Sequence, residues 1–227
     1  CMEFAIYLCG VLWTLIEGHF CYRMICAFME PRKNKVIRLF AWFCYSMIVS
    51  VIIYPCDTIN ITYTLFFFLA VNWMAFRGEW LKRISIAMMF YPIIIAINYM
   101  AGETAGIVIQ NFHVTDRTVN SFISTAVFLI PVLFWNIFYR KSRKFLLDLK
   151  GVLDTKSWIL LDIICLASMA AVFSSVYYTP KESYKMFPGM IACMITNIGS
   201  IFLAGYLAAS IRKDMERRNL RLQEKYY

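Results

Sequence analysis

The sequence predicts an all-α polytopic membrane protein with seven transmembrane helices. Its N-terminus is predicted outside and its C-terminus in the cytoplasm, with the last helix running on into a cytoplasmic rod. Three observations carry that prediction. The 227 residues are 61% apolar and only 16% charged, where soluble domains sit near 45–50% and about 25%. The apolar residues gather into seven runs of helical rather than strand length, and the alternating ten-residue segments of a barrel are missing. Finally, nineteen of the 23 lysines and arginines fall in the stretches that follow odd-numbered runs, and only Arg117, Lys181 and Lys185 fall on the other side. That split sets the orientation. It also accounts for the net charge of +9, which in a soluble chain would suggest nucleic acid and here does not.

The elements follow in order. Residues 2–27 are apolar but for Glu3, Glu17, His19 and Arg23. They have no charged leader and no small-residue cleavage site, so they read as a retained span, with Met2 as the natural start. Residues 39–55 form the second span, closed by the Pro55-Cys-Asp-Thr turn. Residues 59–76 form the third and 84–101 the fourth. Residues 102–120 are the longest polar stretch between spans. The fifth span is 121–139, the sixth 158–178, and the seventh 189–211. Pro92 and Pro131 are expected as single kinks in otherwise continuous helices. The connector 140–156 has apolar Phe145, Leu146, Leu149 and Val152 among lysines. It reads either as an amphipathic helix on the inner membrane surface or as a solvated link. No loop is long enough to fold alone, so the chain divides into a membrane domain, 1–211, and the start of a cytoplasmic helix, 212–227.

The last helix is the longest element expected. From 189 to 227 there is no proline and, after Gly205, no glycine, giving a rod of roughly 58 Å at ~1.5 Å per residue. About half of that exceeds a ~30 Å hydrocarbon core. Ser200, Ala204 and Ala208 recur every four residues beside Gly205, the spacing that lets helices approach closely. The first or sixth span, or the same helix of a second chain, would be the partner. Beyond the membrane Ile211, Met215 and Leu222 make a coiled-coil seam broken by Arg218, suited to a homodimer.

The spans hold few polar groups: Glu17, Asn72, Asn98, Asn136, Asp162 and Asn197. In lipid such groups are costly and point to function. Two readings stay open. They are interhelical hydrogen bonds worth about 0.6–2 kcal/mol each, or they line a ligand or ion path. Asp162 lies close enough to the membrane edge to snorkel or to pair with Lys156.

Chemistry is sparse. The eight cysteines show no CxxC pair and no metal-ligand rhythm, so no metal and no cofactor is expected, and no phosphate-binding or hydrolase motif occurs. His19 and Cys26, in Gly-His-Phe-Cys-Tyr-Arg-Met-Ile-Cys, resemble the His…Cys spacing of AgrB-type membrane proteases that mature peptide pheromones. That family carries a longer segment before its His, and only 18 residues precede it here.

A second resemblance covers more of the chain. Lys-Arg-Ile-Ser-Ile-Ala-Met-Met-Phe-Tyr-Pro-Ile-Ile-Ile-Ala at 82–96, and Ile-Arg-Lys-Asp-Met-Glu-Arg-Arg-Asn-Leu-Arg-Leu-Gln-Glu-Lys-Tyr-Tyr at 211–227, are similar to the membrane sensor half of AgrC-like receptor histidine kinases. In those proteins a GHKL-type ATPase domain follows. The resemblance implies a multi-pass sensor in a bacterial plasma membrane that signals through a two-component response regulator. The phosphoacceptor His and the ATP boxes of that family are not in these 227 residues, so no catalytic residue carries over. It further implies an extracellular peptide ligand, for which the expected outer aromatics Tyr54, Tyr63, Tyr99, Phe112, Tyr177, Tyr178, Tyr184 and Phe187 would form the surface. A small transporter or channel, and the peptide-processing protease, remain the alternatives.

Overall fold

The structure, a computed structural model, describes residues 2–149, 153, 155–178 and 182–226. Eight α-helices are formed among them: α1 (Met2–Phe28), α2 (Lys35–Val49), α3 (Thr58–Ala75), α4 (Trp80–Asn111), α5 (Arg117–Val127), α6 (Leu129–Leu149), α7 (Thr155–Tyr177) and α8 (Phe187–Tyr226). A two-residue antiparallel ladder pairs β1 (Glu30–Pro31) with β2 (Phe76–Arg77). The backbone N–H of Arg32 extends it, donating to the Ala75 carbonyl at 2.9 Å. The ladder ties the α1–α2 link to the α3–α4 link at one end of the bundle. At the opposite end the N–H of Cys56, before α3, donates to the carbonyl of Val176, at the end of α7, at 2.9 Å.

Among the described residues six stretches are long and apolar enough to cross a membrane, α5 and α6 counting together as one. The expected second span takes another form. α2 has 15 residues, about 22 Å, and the chain then runs on without helix through residues 51–54. The local sequence explains why. Val51, Ile52 and Ile53 are β-branched and stiff in a helix, and Tyr54 precedes Pro55, which disfavours helical backbone there. The carbonyls so released are caught by two asparagines. Asn98 Nδ2 on α4 donates to Val49 O at 2.6 Å and Val51 O at 3.0 Å, and Asn60 Nδ2 on α3 donates to Ile52 O at 3.0 Å. Irregular backbone at membrane depth survives only where protein groups satisfy it.

α4 is the central post. Every residue from 89 to 99 is buried, as expected of a helix that is apolar all round. It also outruns the predicted span, continuing through 102–111 to a Schellman turn: His113 takes φ 48° and the Val114 N–H reaches back to Ile109 O at 3.1 Å. Pro92 is absorbed inside this helix as expected.

Pro131 is not. The predicted fifth span is continuous in sequence, but its helix is interrupted at the single residue Phe128, between α5 and α6. Proline cannot donate to the carbonyl four residues back, here Val127, and its ring crowds that carbonyl, so α5 stops at Val127. The connector 140–156 is also corrected as far as it is described. α6 runs straight on to Leu149, and this extension packs on α8 instead of lying alone on a surface. Leu146 is fully buried and the Phe145 ring meets Phe202 at 5.1 Å. A chain of ring contacts, Phe28–Phe90–Trp135–Phe138–Phe202, joins α1, α4, α6 and α8 at centroid distances of 5.7 to 6.4 Å, within the range of favourable aromatic pairs.

Candidate functional site

The intramembrane polar groups separate into two kinds. Most bond across helices. Asn72 on α3 accepts from the Tyr45 hydroxyl of α2 and donates to Arg83 O of α4 at 3.0 Å. Asn98 holds the end of α2, as above. Asn197 on α8 donates to Met89 O at 3.1 Å, in the turn of α4 that precedes Pro92. Asp162 on α7 accepts from Ser85 of α4 at 2.8 Å and is not ion-paired with Lys156 among the described residues. Asn136 is half-buried on α6, and its Oδ1 has no partner among the described groups.

Glu17, like Asn136, shows no bond to another helix among the described residues, and it is the more deeply buried of the two. It is 2% exposed, its Oε1 has no hydrogen-bond partner, and it lines a cavity of about 420 Å³ between α1, α2 and the α5–α6 junction. His19 and Arg23, two and six residues on, are both exposed on α1 and do not stand opposite it. The neighbouring contact is tight. Gly18 lies so close to Ser46 that any side chain at Gly18 would overlap the Ser46 backbone. The glycine therefore fixes how near α2 comes to α1 at the level of the carboxyl.

Three hydroxyls share the cavity wall. Thr14 donates to Gly10 O at 3.1 Å, Ser46 to Trp42 O at 3.0 Å, and Ser50 to Ser46 O at 2.7 Å. Each spends its proton on its own helix. They lie in the lining beside the apolar surfaces of Val11, Trp13 and Phe128, and with their protons so placed their oxygens can only accept. A second, almost wholly apolar cavity of about 510 Å³ adjoins it between α1 and α5, sharing Ile6, Trp13 and Thr125.

The expected ligand aromatics are scattered. Tyr54, Tyr63, Phe112, Tyr177 and Tyr178 are exposed, at or near the end of the bundle opposite the ladder. Tyr177 and Tyr178 stack edge-to-face at 4.6 Å, with Cys56 bonded to the Tyr177 carbonyl. Tyr184 is also exposed and Phe187 half-buried. Tyr99 is a correction: it is fully buried, because α4 passes through the centre of the bundle and has no outward face at that level. The residues around Glu17 were not singled out in the sequence. Ser46 and Ser50, four apart, and Gly10 and Thr14, also four apart, were the available signal, and each passes for an ordinary small residue in an apolar run.

On α8 the small-residue positions meet this chain. Gly205 is buried against the Phe145 ring, which an added methyl would overlap. Ser200 and Ala204 are half-buried, while the side chain of Ala208 lies outside the described residues. The helix packs on α4, α6 and α7. Ile211, Met215 and Leu222 are each more than half exposed.

His19 and Cys26 sit seven residues apart on α1, about 10 Å along one helix, too far for the hydrogen bond of a nucleophile–base pair. Among the described residues no group of three or more His, Cys, Asp or Glu side chains could hold a metal ion, and no disulfide is formed among the seven described cysteines. No family model, curated protein or solved structure matches the chain.

Proposed function

We propose that the chain is the membrane sensor module of a two-component receptor histidine kinase, set in a bacterial plasma membrane as a seven-crossing bundle. In this reading α2 and its non-helical tail make the second crossing. The N-terminus is outside and the far half of α8 is cytoplasmic, as the lysine and arginine split requires. A short extracellular peptide is the signal. The kinase core and the response regulator it serves lie beyond these residues.

The observation that carries the reading is the division of α8. Its first half packs on α4, α6 and α7. From Tyr206 to Gln223 every described side chain is exposed, yet Ile211, Met215, Leu220 and Leu222 are apolar. A 40-residue helix held at one end and bare at the other suits a transmitter that pairs with a second copy along Ile211, Met215 and Leu222. Binding among the other helices would shift its held half, and the bare half would carry the shift outward.

Cysteine cross-linking in native membranes, in a background with the natural cysteines replaced, tests this. Met215→Cys is expected to give disulfide-linked dimers readily and Asp214→Cys poorly. Gln223→Cys is expected to react with an impermeant maleimide only after the cells are opened. Equal cross-linking at 214 and 215, or labelling of 223 in intact cells, would sink the proposal.

A further inference from the structure

The geometry points to the cavity between α1, α2 and α5 as a binding site for a primary ammonium group carried on an apolar body, with Glu17 as its counter-ion. A carboxyl at this depth needs a partner. A charged one in a low-dielectric setting must meet a cation, and a neutral one must find an acceptor for its proton. Among the described residues no such partner is in contact: Oε1 of Glu17 makes no hydrogen bond and Glu17 forms no ion pair.

The hydroxyls decide which ligand chemistry completes the site. A wall that offered O–H donors would bind the carboxylate itself or an anionic ligand. Here Thr14, Ser46 and Ser50 have committed their protons to Gly10, Trp42 and Ser46 carbonyls. The cavity therefore presents acceptors around one acid. An ammonium group has three donors and no acceptor, the complement of that set. Charge-assisted hydrogen bonds of this type are the strong ones.

The shape sets the rest of the ligand. The α1 residues lining the cavity run from Ile6 to Glu17, about 16 Å along the helix. Glu17 is the lining residue farthest along α1, and Ile6 lies toward the helix start. The surfaces between them are mostly apolar. At the helix start a further cavity shares Ile6, Tyr7, Ser124 and Thr125 with this one and adds Glu3, Arg117 and Asn120, giving a polar entrance. A ligand enters there and lays its apolar body along Val11 and Trp13. Its amine ends at Glu17, where the Gly18–Ser46 contact holds α1 and α2 at fixed separation. A short apolar peptide with a free N-terminus has this form. The inference deepens the receptor proposal by naming a ligand class, and it rests on that proposal only for treating the ligand as a signal.

The test uses the full 227-residue chain in nanodiscs of phosphatidylcholine, with octylammonium chloride, octan-1-ol and sodium chloride as probes and calorimetric titration as readout. Wild type is expected to bind octylammonium about tenfold or more tighter than octanol. Glu17→Gln should erase that preference while leaving octanol binding in place, and Ser50→Phe, which fills the cavity without touching the acid, should abolish both. Should Glu17→Gln fail to fold, Ser50→Phe alone decides the location. Equal affinity for amine and alcohol in wild type would overturn the site. So would an unchanged preference in Glu17→Gln, undiminished binding in Ser50→Phe, or competition by sodium at equal concentration. None of these readouts involves α8, so a failure here leaves the cross-linking test standing, and the reverse.

Discussion

The most apolar stretches of α4 and α8 are almost equally apolar and occupy opposite surroundings. Their best windows have mean hydropathy 1.8 and 1.7, yet 83% of the α4 window is buried and 28% of the α8 window. In water that pairing would be contradictory, because an exposed helix would show a polar face. In lipid the outside is as apolar as the inside, and hydropathy no longer ranks helices by depth. What does rank them is the placement of the few groups that need a particular neighbour. α4 holds Ser85, Tyr91 and Asn98, bonded to α7, α3 and the end of α2, and it lends carbonyls to Asn72 and Asn197. α8 offers Asn197 and Gly205 to its neighbours and then leaves them.

The same substitution in both helices breaks or sharpens this contrast most directly. Ile94→Ala in α4, at a fully buried site, is expected to cost about 2–5 kcal/mol. Ile195→Ala in α8, at a position 64% exposed, should stay within about 0.5 kcal/mol. Unfolding by SDS in mixed micelles gives both values, and similar costs would mean that α8 is covered by another chain along that face. Asn98→Leu comes next. Leaving the Val49 and Val51 carbonyls without a donor should cost about 1–3 kcal/mol and speed hydrogen exchange at the end of α2 more than in α8. Exchange unchanged there would show that another group holds the non-helical run. The smallest effect is at the α6–α8 contact. Gly205→Ala is expected to cost about 1 kcal/mol through its clash with Phe145, and Phe145→Leu should relieve much of it. Additive losses in the double variant would place the strain elsewhere.

The sequence announced α1, α3, α7 and α8 within a few residues, because each is a long apolar run bounded by charge or a turn. It announced neither the centre of the bundle nor the cavity. Tyr99 was expected at the surface because its position, near the end of its span, is also where interfacial tyrosines sit. Only the packing of α4 among its neighbours decides between the two, and that packing depends on residues far apart in the chain. The shortness of α2 was hidden for the same reason. Val51 to Ile53 look as apolar as any helix, and the asparagine that makes an alternative backbone tolerable, Asn98, stands 47 residues away from Val51. Glu17 was visible as a costly residue. Its hydroxyl neighbours were not, since the direction in which a serine spends its proton is a property of the folded helix.

That distance between Val51 and Asn98 has a consequence for how the protein is made. Chains enter a membrane from the N-terminus as they are synthesised. When α2 emerges, its exit end presents carbonyls that no group in α1 or α2 answers. Asn60 arrives within the following turn and can settle Ile52. Val49 and Val51 must wait until α4 has been translated through Asn98. Until then α2 is both shorter than the hydrocarbon layer and incompletely bonded, a poor candidate for independent insertion. In the seven-crossing reading proposed above, the hairpin of α2 and α3 would have to linger at the insertion machinery, or at the membrane edge, and be drawn in when α4 crosses. The central helix of the finished bundle would then also be the step that completes its assembly.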